Sequence, residues 1–319
     1  MPNKYNGLIN IYKEPGFTSN DVVAKLRGIL KQKKIGHTGT LDPDAVGVLV
    51  VCLGTGTKLV EMLTDHDKEY IAVVKLGVTT DTQDMSGQVL ETSDVNVTRE
   101  DIVEAARAFV GDYDQIPPMY SAIKQNGKKL YELAREGIEV ERKPRKVHID
   151  AITILDDSLL ESEHIFTMEV KCSKGTYIRT LCHDMGLRLG CGAAMQHLTR
   201  TCVGAFHLED AYTLSQVEEM RDNGTLMDVI KSPEFIFRDL DKLCVSDKAR
   251  TLLENGNSFK LENVVNQDPE GVNDTQYAKE MFKNGNSFRV YAEDGTFFGI
   301  YSYNEKTRLF NVDKFFFEK

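Results

Sequence analysis

Gly36-His-Thr-Gly-Thr-Leu-Asp-Pro-Asp-Ala-Val-Gly-Val-Leu49 sets one carboxylate, Asp42, between a glycine-containing polar loop and a strongly apolar run. Gly36 and Gly39 allow positive φ and close approach by a ligand, while Pro43 fixes its own φ and biases Asp42 towards extended backbone. The run from Val46 to Leu53 is apolar enough to be buried. Asp42 is therefore expected at the junction of a mobile loop and a rigid core, the setting in which scaffolds present chemistry. Taken alone, the same pattern also suits an ordinary turn or helix N-cap aspartate.

Working outward, Ser19 can cap a helix whose apolar positions Val22, Val23, Leu26, Ile29 and Leu30 follow helical spacing. Thr98 to Asp101 resembles a capping box opening a helix with Ile102, Ala106, Phe109 and Val110 on its apolar face. Tyr70 to Leu76, Val147 to Ile154 and His164 to Cys172 are short and β-rich, and predict strands. After the turn at Ser173 to Thr176, the residues Ile178, Leu181, Cys182, Met185 and Leu189 form a helical stripe ended by Gly190. Arg179 lies one residue from that stripe, and the spacing predicts that it reaches out from the stripe's edge. Hairpins and helices without a regular βαβα alternation indicate an α+β fold.

The pattern loosens around residues 222–240, and a separate C-terminal unit follows. A short helix from Asp247 to Glu254 leads to an acidic, polar loop at residues 267–276. Phe288 to Ala292 and Phe297 to Tyr301 flank Asp294-Gly295, a strong hairpin signal. Asn-Gly-Asn-Ser-Phe occurs twice, at residues 255–259 and 284–288, and predicts two similar turns into strands. The expected division is 1–240 and 241–319.

The chain has 319 residues and a net charge of −10. Residues 207–319 carry 14 basic and 21 acidic side chains, leaving 25 basic and 28 acidic for residues 1–206. Within the first part, Lys25, Arg27, Lys31, Lys33 and Lys34 lead into the Asp42 loop. Lys124, Lys128, Lys129, Arg135, Arg142, Lys143, Arg145 and Lys146 form a second basic group, interleaved with four glutamates. Such groups suit a phosphate backbone, or equally a solvated helix face. No apolar run reaches transmembrane length and the first six residues are polar, so a cytoplasmic protein with no membrane partner is expected. The six cysteines show no C-x-x-C pair and no zinc-like His/Cys spacing, which predicts reduced thiols and no metal site.

The Asp42 segment resembles the central motif of pseudouridine synthases of the bacterial TruB type, the tRNA uridine-55 enzymes. Other segments match that family in order. They are the opening strand and turn from Gly7 to Ser19, with its proline displaced by one; Asp67 to Tyr70; Thr80 to Gly87; Gln115 to Lys124 with Gly127 to Tyr131; Cys172 to Thr180; and Gly190 to Leu198. The resemblance is strong over residues 7–206. It implies a pseudouridine-synthase catalytic fold with a mixed, largely antiparallel sheet, followed by a small β-rich, PUA-like C-terminal unit.

By the same resemblance, the catalytic group comprises Asp42 as the carboxylate acting at the sugar or base, Arg179 as its cationic partner, and Tyr70, which stacks on the target base and is placed to help remove the C5 proton. His37 is the residue that fills the space left by an extruded base, Tyr177 and Leu198 line the substrate pocket, and Asp84 meets the RNA through a neighbouring loop. Converting uridine to its C-glycoside breaks the N1–C1′ bond, rotates the base, joins C5 to C1′ and removes the C5 proton. That isomerisation needs no cofactor, neither metal nor organic, and the implied partner is the T-arm of tRNA, with no DNA and no obligatory protein partner. A guide-dependent relative acting on other RNA, and a tRNA-folding chaperone, are the competing readings. An intact Asp42, Tyr70 and Arg179 favour catalysis.

Overall fold

The computed structural model describes residues 3–265, 282–283 and 285–318. Nine strands build its larger sheet: β1 (Gly7–Lys13), β2 (Ile35–His37), β3 (Val46–Leu53), β4 (Lys68–Leu76), β5 (Gly111–Gln115), β6 (Arg145–Asp156), β7 (Ile165–Cys172), β8 (Ala193–Val203) and β9 (Phe206–His207). The order is β1-β3-β8-β4-β7-β6-β5, with β2 on β3 and β9 on β8. Every pairing is antiparallel except β3 with β8. The sheet is thus mixed and largely antiparallel, as the resemblance implies.

The apolar run is continuous because β3 is covered on both faces. Leu49, Val51 and Leu53 pack beneath the helices α1 (Ser19–Leu30) and, later in the chain, α4 (Leu214–Asn223). Val48, Val50 and Cys52 face the other way, against Ile300 and Phe316 of the C-terminal unit. Further along the sheet, α2 (Arg99–Arg107) and α3 (Ile178–Leu189) bury Ile102, Ala106, Ile178, Leu181, Cys182 and Met185 on β4, β7 and β8.

Helix α1 is capped by Thr18, not by Ser19. Thr18 and Asp21 form the reciprocal capping box, while the buried Ser19 hydroxyl accepts a bond from the Leu41 amide at 2.9 Å. Thr98 and Asp101 form the same box on α2, which ends at Arg107, before Phe109 and Val110. Gly190 closes α3 in the left-handed conformation.

A second sheet gathers β10 (Lys242–Val245), β11 (Phe259–Lys260), β12 (Val264–Val265), β13 (Ser287–Ala292), β14 (Phe297–Asn304) and β15 (Leu309–Phe315). Phe259, Phe288, Phe298, Tyr301 and Phe310 make its own core. The Asp294-Gly295 hairpin joins β13 to β14, and Gly256 and Gly285 adopt positive φ in the two similar turns. The acidic loop at 267–276 lies outside the described residues. All six cysteines are free thiols, five of them buried. Among the described residues, no helix is long and apolar enough to cross a membrane.

The parallel contact between β3 and β8 requires Gly47. Its φ is +104°, and a Cβ there would stand 2.2 Å from the Arg200 carbonyl oxygen. Gly47→Ala should cost about 3 kcal/mol or more, from strain plus collision. Gly16→Ala, also at positive φ but in open space, should cost about 1 kcal/mol. Urea unfolding of both variants checks the contrast; equal losses would show that backbone strain alone decides.

Candidate active site

The loop from His37 to Ala45 is held at intervals along its length. Thr38 donates its amide to the Val50 carbonyl at 3.1 Å, Leu41 to the Ser19 hydroxyl, and Gly16 donates to the Pro43 carbonyl at 3.0 Å. Lys13, wholly buried on β1, donates its ammonium to the Pro43 and Ala45 carbonyls at 2.8 and 2.6 Å. The mobile loop expected from the sequence is instead a tethered one. Gly36 and Gly39 both keep negative φ, and a Cβ on either would meet only ordinary contacts. The shape comes from these long-range bonds, not from glycine freedom.

Asp42 is presented at the loop's open side, with its side chain 41% exposed. Arg179, the second residue of α3, is only 6% exposed and holds it through an ion-pair contact, Nε to Oδ2 at 3.0 Å, and a hydrogen bond from Nη2 to Oδ1 at 3.3 Å. The same guanidinium donates to the Tyr120 carbonyl at 2.9 Å, the Thr82 carbonyl at 3.1 Å and Asp84 Oδ2 at 3.3 Å. It therefore turns inward from the stripe's edge and is fully engaged. Burial pushes the Asp42 carboxyl above its ordinary value; Arg179 pulls it back down, Asp84 opposes that, and Lys13 assists it. The planar fork orients the carboxylate as well as charging it.

Asp84 serves both its own turn and this pair. Its Oδ1 accepts from the Thr82 hydroxyl at 2.8 Å and the Ser86 amide at 3.0 Å, while Oδ2 faces Arg179. Gln83, at positive φ, locks the turn onto α3 by accepting from the Thr180 hydroxyl at 2.7 Å. Tyr70 on β4 is buried beside Leu41, Ala45 and Leu198. Burial raises its phenol pKa, opposed by the Arg200 guanidinium that faces it. Tyr177 caps α3 half-buried, near Ser121, Arg145 and Arg179. His37 lies at the end of β2, half-buried, with its pKa lowered by burial and by Arg200, so the ring is neutral at pH 7. The structure thus brings Asp42, Asp84 and Arg179 into one ion-pair group, with Tyr70 and Leu198 in the same core cluster as Leu41 and Ala45 of the Asp42 loop, Tyr177 at the start of α3 near Arg179, and His37 at the other end of the loop.

Two residues of this site escaped the sequence reading. Gln115, buried at the end of β5, accepts from the Tyr177 amide at 2.8 Å and donates to the Tyr177 carbonyl at 3.0 Å, fixing the approach to α3. It opens the Gln-Ile-Pro-Pro motif, so a signal was present. Arg200 on β8 carried none. Of the basic groups, Lys31, Lys33, Lys34, Lys124, Lys143 and Arg145 are exposed, whereas Lys128, Arg142 and Lys146 are paired with Glu136, Glu139 and Asp112.

The fold is that of the pseudouridine synthases. Over 98% of this chain and 85% of the other, it superposes on a chain from a crystal structure of a Cbf5–Nop10–Gar1 complex, at 25% identity and a TM-score of 0.67. Residues 27–178 match the family model of the N-terminal domain of TruB family pseudouridylate synthases, and residues 179–237 match that of the tRNA pseudouridylate synthase B C-terminal domain. A tRNA pseudouridine synthase B of Lachnoclostridium phytofermentans is 50% identical over 98% of this chain and 99% of its own length. One from Bacillus anthracis is 45% identical over 80% of this chain and 85% of its own. The chain belongs to the TruB family of pseudouridylate synthases.

The two-point hold on Asp42 predicts that Arg179→Lys loses about 100-fold or more in rate, since an ammonium cannot reproduce the fork. With Arg179→Met, the Asp42 carboxyl loses its main cation and rises further, so the fall in activity on acidification begins at higher pH than in the parent. Single-turnover rates across pH, with tRNA affinity measured alongside, check both; an unmoved acid limb would show that Arg179 does not hold Asp42 ionised.

Proposed function

We propose that the chain isomerises uridine 55 in the T-loop of tRNA to pseudouridine, with Asp42 as nucleophile or electrostatic stabiliser and with the target base extruded from its stack. The observation that carries this reading is a carboxylate charged by a buried arginine yet open to solvent on its other side. The 50% identical relative is a tRNA pseudouridine synthase B, which supports tRNA as substrate. Tyr70 stacks on the base and helps remove the C5 proton. Tyr177 and Leu198 line the pocket, and Asp84, paired with Arg179, belongs to the loop that meets the RNA. Extruding a base costs a few kcal/mol, and the His37 ring offsets part of that by occupying the vacated stack. Attack at C1′, addition to the base and a glycal route all begin from this arrangement.

Residues 1–240 form the catalytic domain in this proposal and 241–319 a PUA-like domain, supported by the separate core around Phe259, Phe288 and Phe310. The T-arm of tRNA is the partner, without an obligatory protein partner, in the cytoplasm. The Cbf5 neighbour comes from a complex with Nop10 and Gar1; the twofold higher identity to a tRNA pseudouridine synthase B favours the unassisted reading here. Among basic residues of the C-terminal unit that could offset phosphate repulsion, Lys279 lies outside the described residues, Lys283 is exposed, and Arg289 is already bound to Glu234 and the Leu240 carbonyl. Contact between that unit and RNA therefore contributes modestly.

Incubating the pure protein with an unmodified tRNA transcript and mapping pseudouridine at single-nucleotide resolution tests the proposal. Product confined to another position would refute the T-loop assignment. Asp42→Asn should lower the rate by about 1,000-fold or more while changing tRNA affinity only several-fold, because charge is lost at nearly constant volume.

His37→Ala should slow conversion of folded tRNA more than conversion of a substrate whose T-loop is already open, since extrusion costs least without stacking. Equal losses on the two RNAs would make His37 catalytic or structural instead.

A further inference from the structure

Arg200 is the largest wholly enclosed side chain of the fold, 2% exposed, and among the described residues no carboxylate pairs with it. A cation so placed is costly unless its donors are specifically used. Here Nε donates to the Val48 carbonyl at 2.7 Å and Nη2 to the Gly39 carbonyl at 3.2 Å. Gly39 belongs to the loop between His37 and Asp42, and Val48 to the strand from which that loop hangs. Arg200 is also the direct cross-strand partner of Tyr70, which puts both side chains on one face of the sheet. Its backbone is pinned from the other side by Gly47, where no Cβ fits.

We propose that Arg200 is a positioning residue for the reaction: one guanidinium, on the same sheet face as Tyr70, holds the loop bearing His37 and Asp42 in a common frame with that tyrosine. The proposal rests on the roles assigned above to Tyr70 and Asp42. It adds that the group receiving the C5 proton and the carboxylate acting on the sugar or base are kept in register by the same cation. An apolar side chain of similar volume would fill the space but leave the Gly39 and Val48 carbonyls without this donor, and would leave the phenol without a facing charge. The charged and titratable groups around Tyr70 are Arg200, Cys172 on β7 and Asp42; those around Arg200 itself include Lys13, Lys68 and His37.

The test uses the full-length protein carrying Arg200→Met, Arg200→Lys, Tyr70→Phe or Arg200→Met with Tyr70→Phe. Single-turnover conversion of tRNA is followed across pH, alongside tRNA affinity and thermal unfolding. Arg200→Met should slow conversion about 10- to 100-fold, the range for residues that orient a catalytic group. Its tRNA affinity should stay within about threefold, and the rise of rate with pH should move to higher pH, because the phenol loses the cation that favours its ionised form. Arg200→Lys, which keeps the charge but not the fork, should recover the pH profile and only part of the rate, and it serves where the methionine variant unfolds. In the Tyr70→Phe background, followed over hours, Arg200→Met should add little, since contacting residues are non-additive.

An equal slowing by Arg200→Met in both backgrounds with an unmoved pH profile would overturn the proposal and leave Arg200 a purely structural residue. A fully active Tyr70→Phe would overturn the reading of Tyr70 itself, an outcome visible in that variant alone.

Discussion

One guanidinium joins parts of the chain that are far apart in sequence. Arg179 binds Asp42 from the first third, the Thr82–Asp84 turn, the Tyr120 carbonyl and its own helix, and it is almost entirely out of water. Removing a cation from water is repaid only by good geometry and hydrogen bonding, and here the terminal nitrogens of Arg179 each make two hydrogen bonds while Nε faces Asp42. Such a node contributes position more than stability. Without it, the Asp42 carboxyl would lose the main charge that opposes its burial, and its protonated form would be favoured further. The placement of α3 against β4 and β8, the turn carrying Asp84 and the Gln115 bracket on Tyr177 all serve to bring this one side chain to Asp42.

The charge distribution follows from the same constraint. A chain with a net charge of −10 keeps three cations, Lys13, Lys68 and Arg200, buried at the base of the site and satisfied largely by backbone carbonyls. Burial brings Lys13 and Lys68 down to about 8, still mostly protonated at neutral pH. Field lines from buried cations are screened far less than those from surface acids, whose reach in physiological salt is about 8 Å. The acidic surface and the cationic floor thus act on different scales. Net charge describes solubility and long-range steering, and the local field at Asp42 is set by the floor and by Arg179.

Much of this was legible in the sequence, and the division is physical. Burial patterns depend on neighbours along the chain, so the β3 run, the stripe of α3, the capping box at Thr98 and the Asp294-Gly295 hairpin could be read directly. What failed depended on partners distant in sequence. Ser19 looks like a cap until Leu41 claims its hydroxyl, and Thr18 takes the role. Gly36 and Gly39 look like conformational hinges until the bonds from Thr38, Leu41 and Lys13 are seen to shape the loop. Arg179 looks like an edge residue because helical spacing gives its angle but not what waits there. Arg200 was invisible, since its meaning arises from facing Tyr70 across a register that joins positions 130 residues apart.

The C-terminal unit is bound into the same arrangement. Phe316 and Ile300 join Val48, Val50 and Cys52 in one apolar cluster with Leu59, Leu63 and Phe206, and Lys58 donates to the Phe315 carbonyl at 2.6 Å. Strand β3 is consequently held on one face by α1 and α4 and on the other by the second sheet, and the loop carrying His37 and Asp42 leads into that strand. Binding energy spent on reshaping a loop when substrate arrives is lost from the transition state. A strand clamped on both faces supplies the loop ready-formed. Cutting the chain near residue 240 would remove Ile300 and Phe316 from the apolar cluster that contains Val48, Val50 and Cys52, so the C-terminal unit contributes packing to the strand into which the Asp42 loop leads.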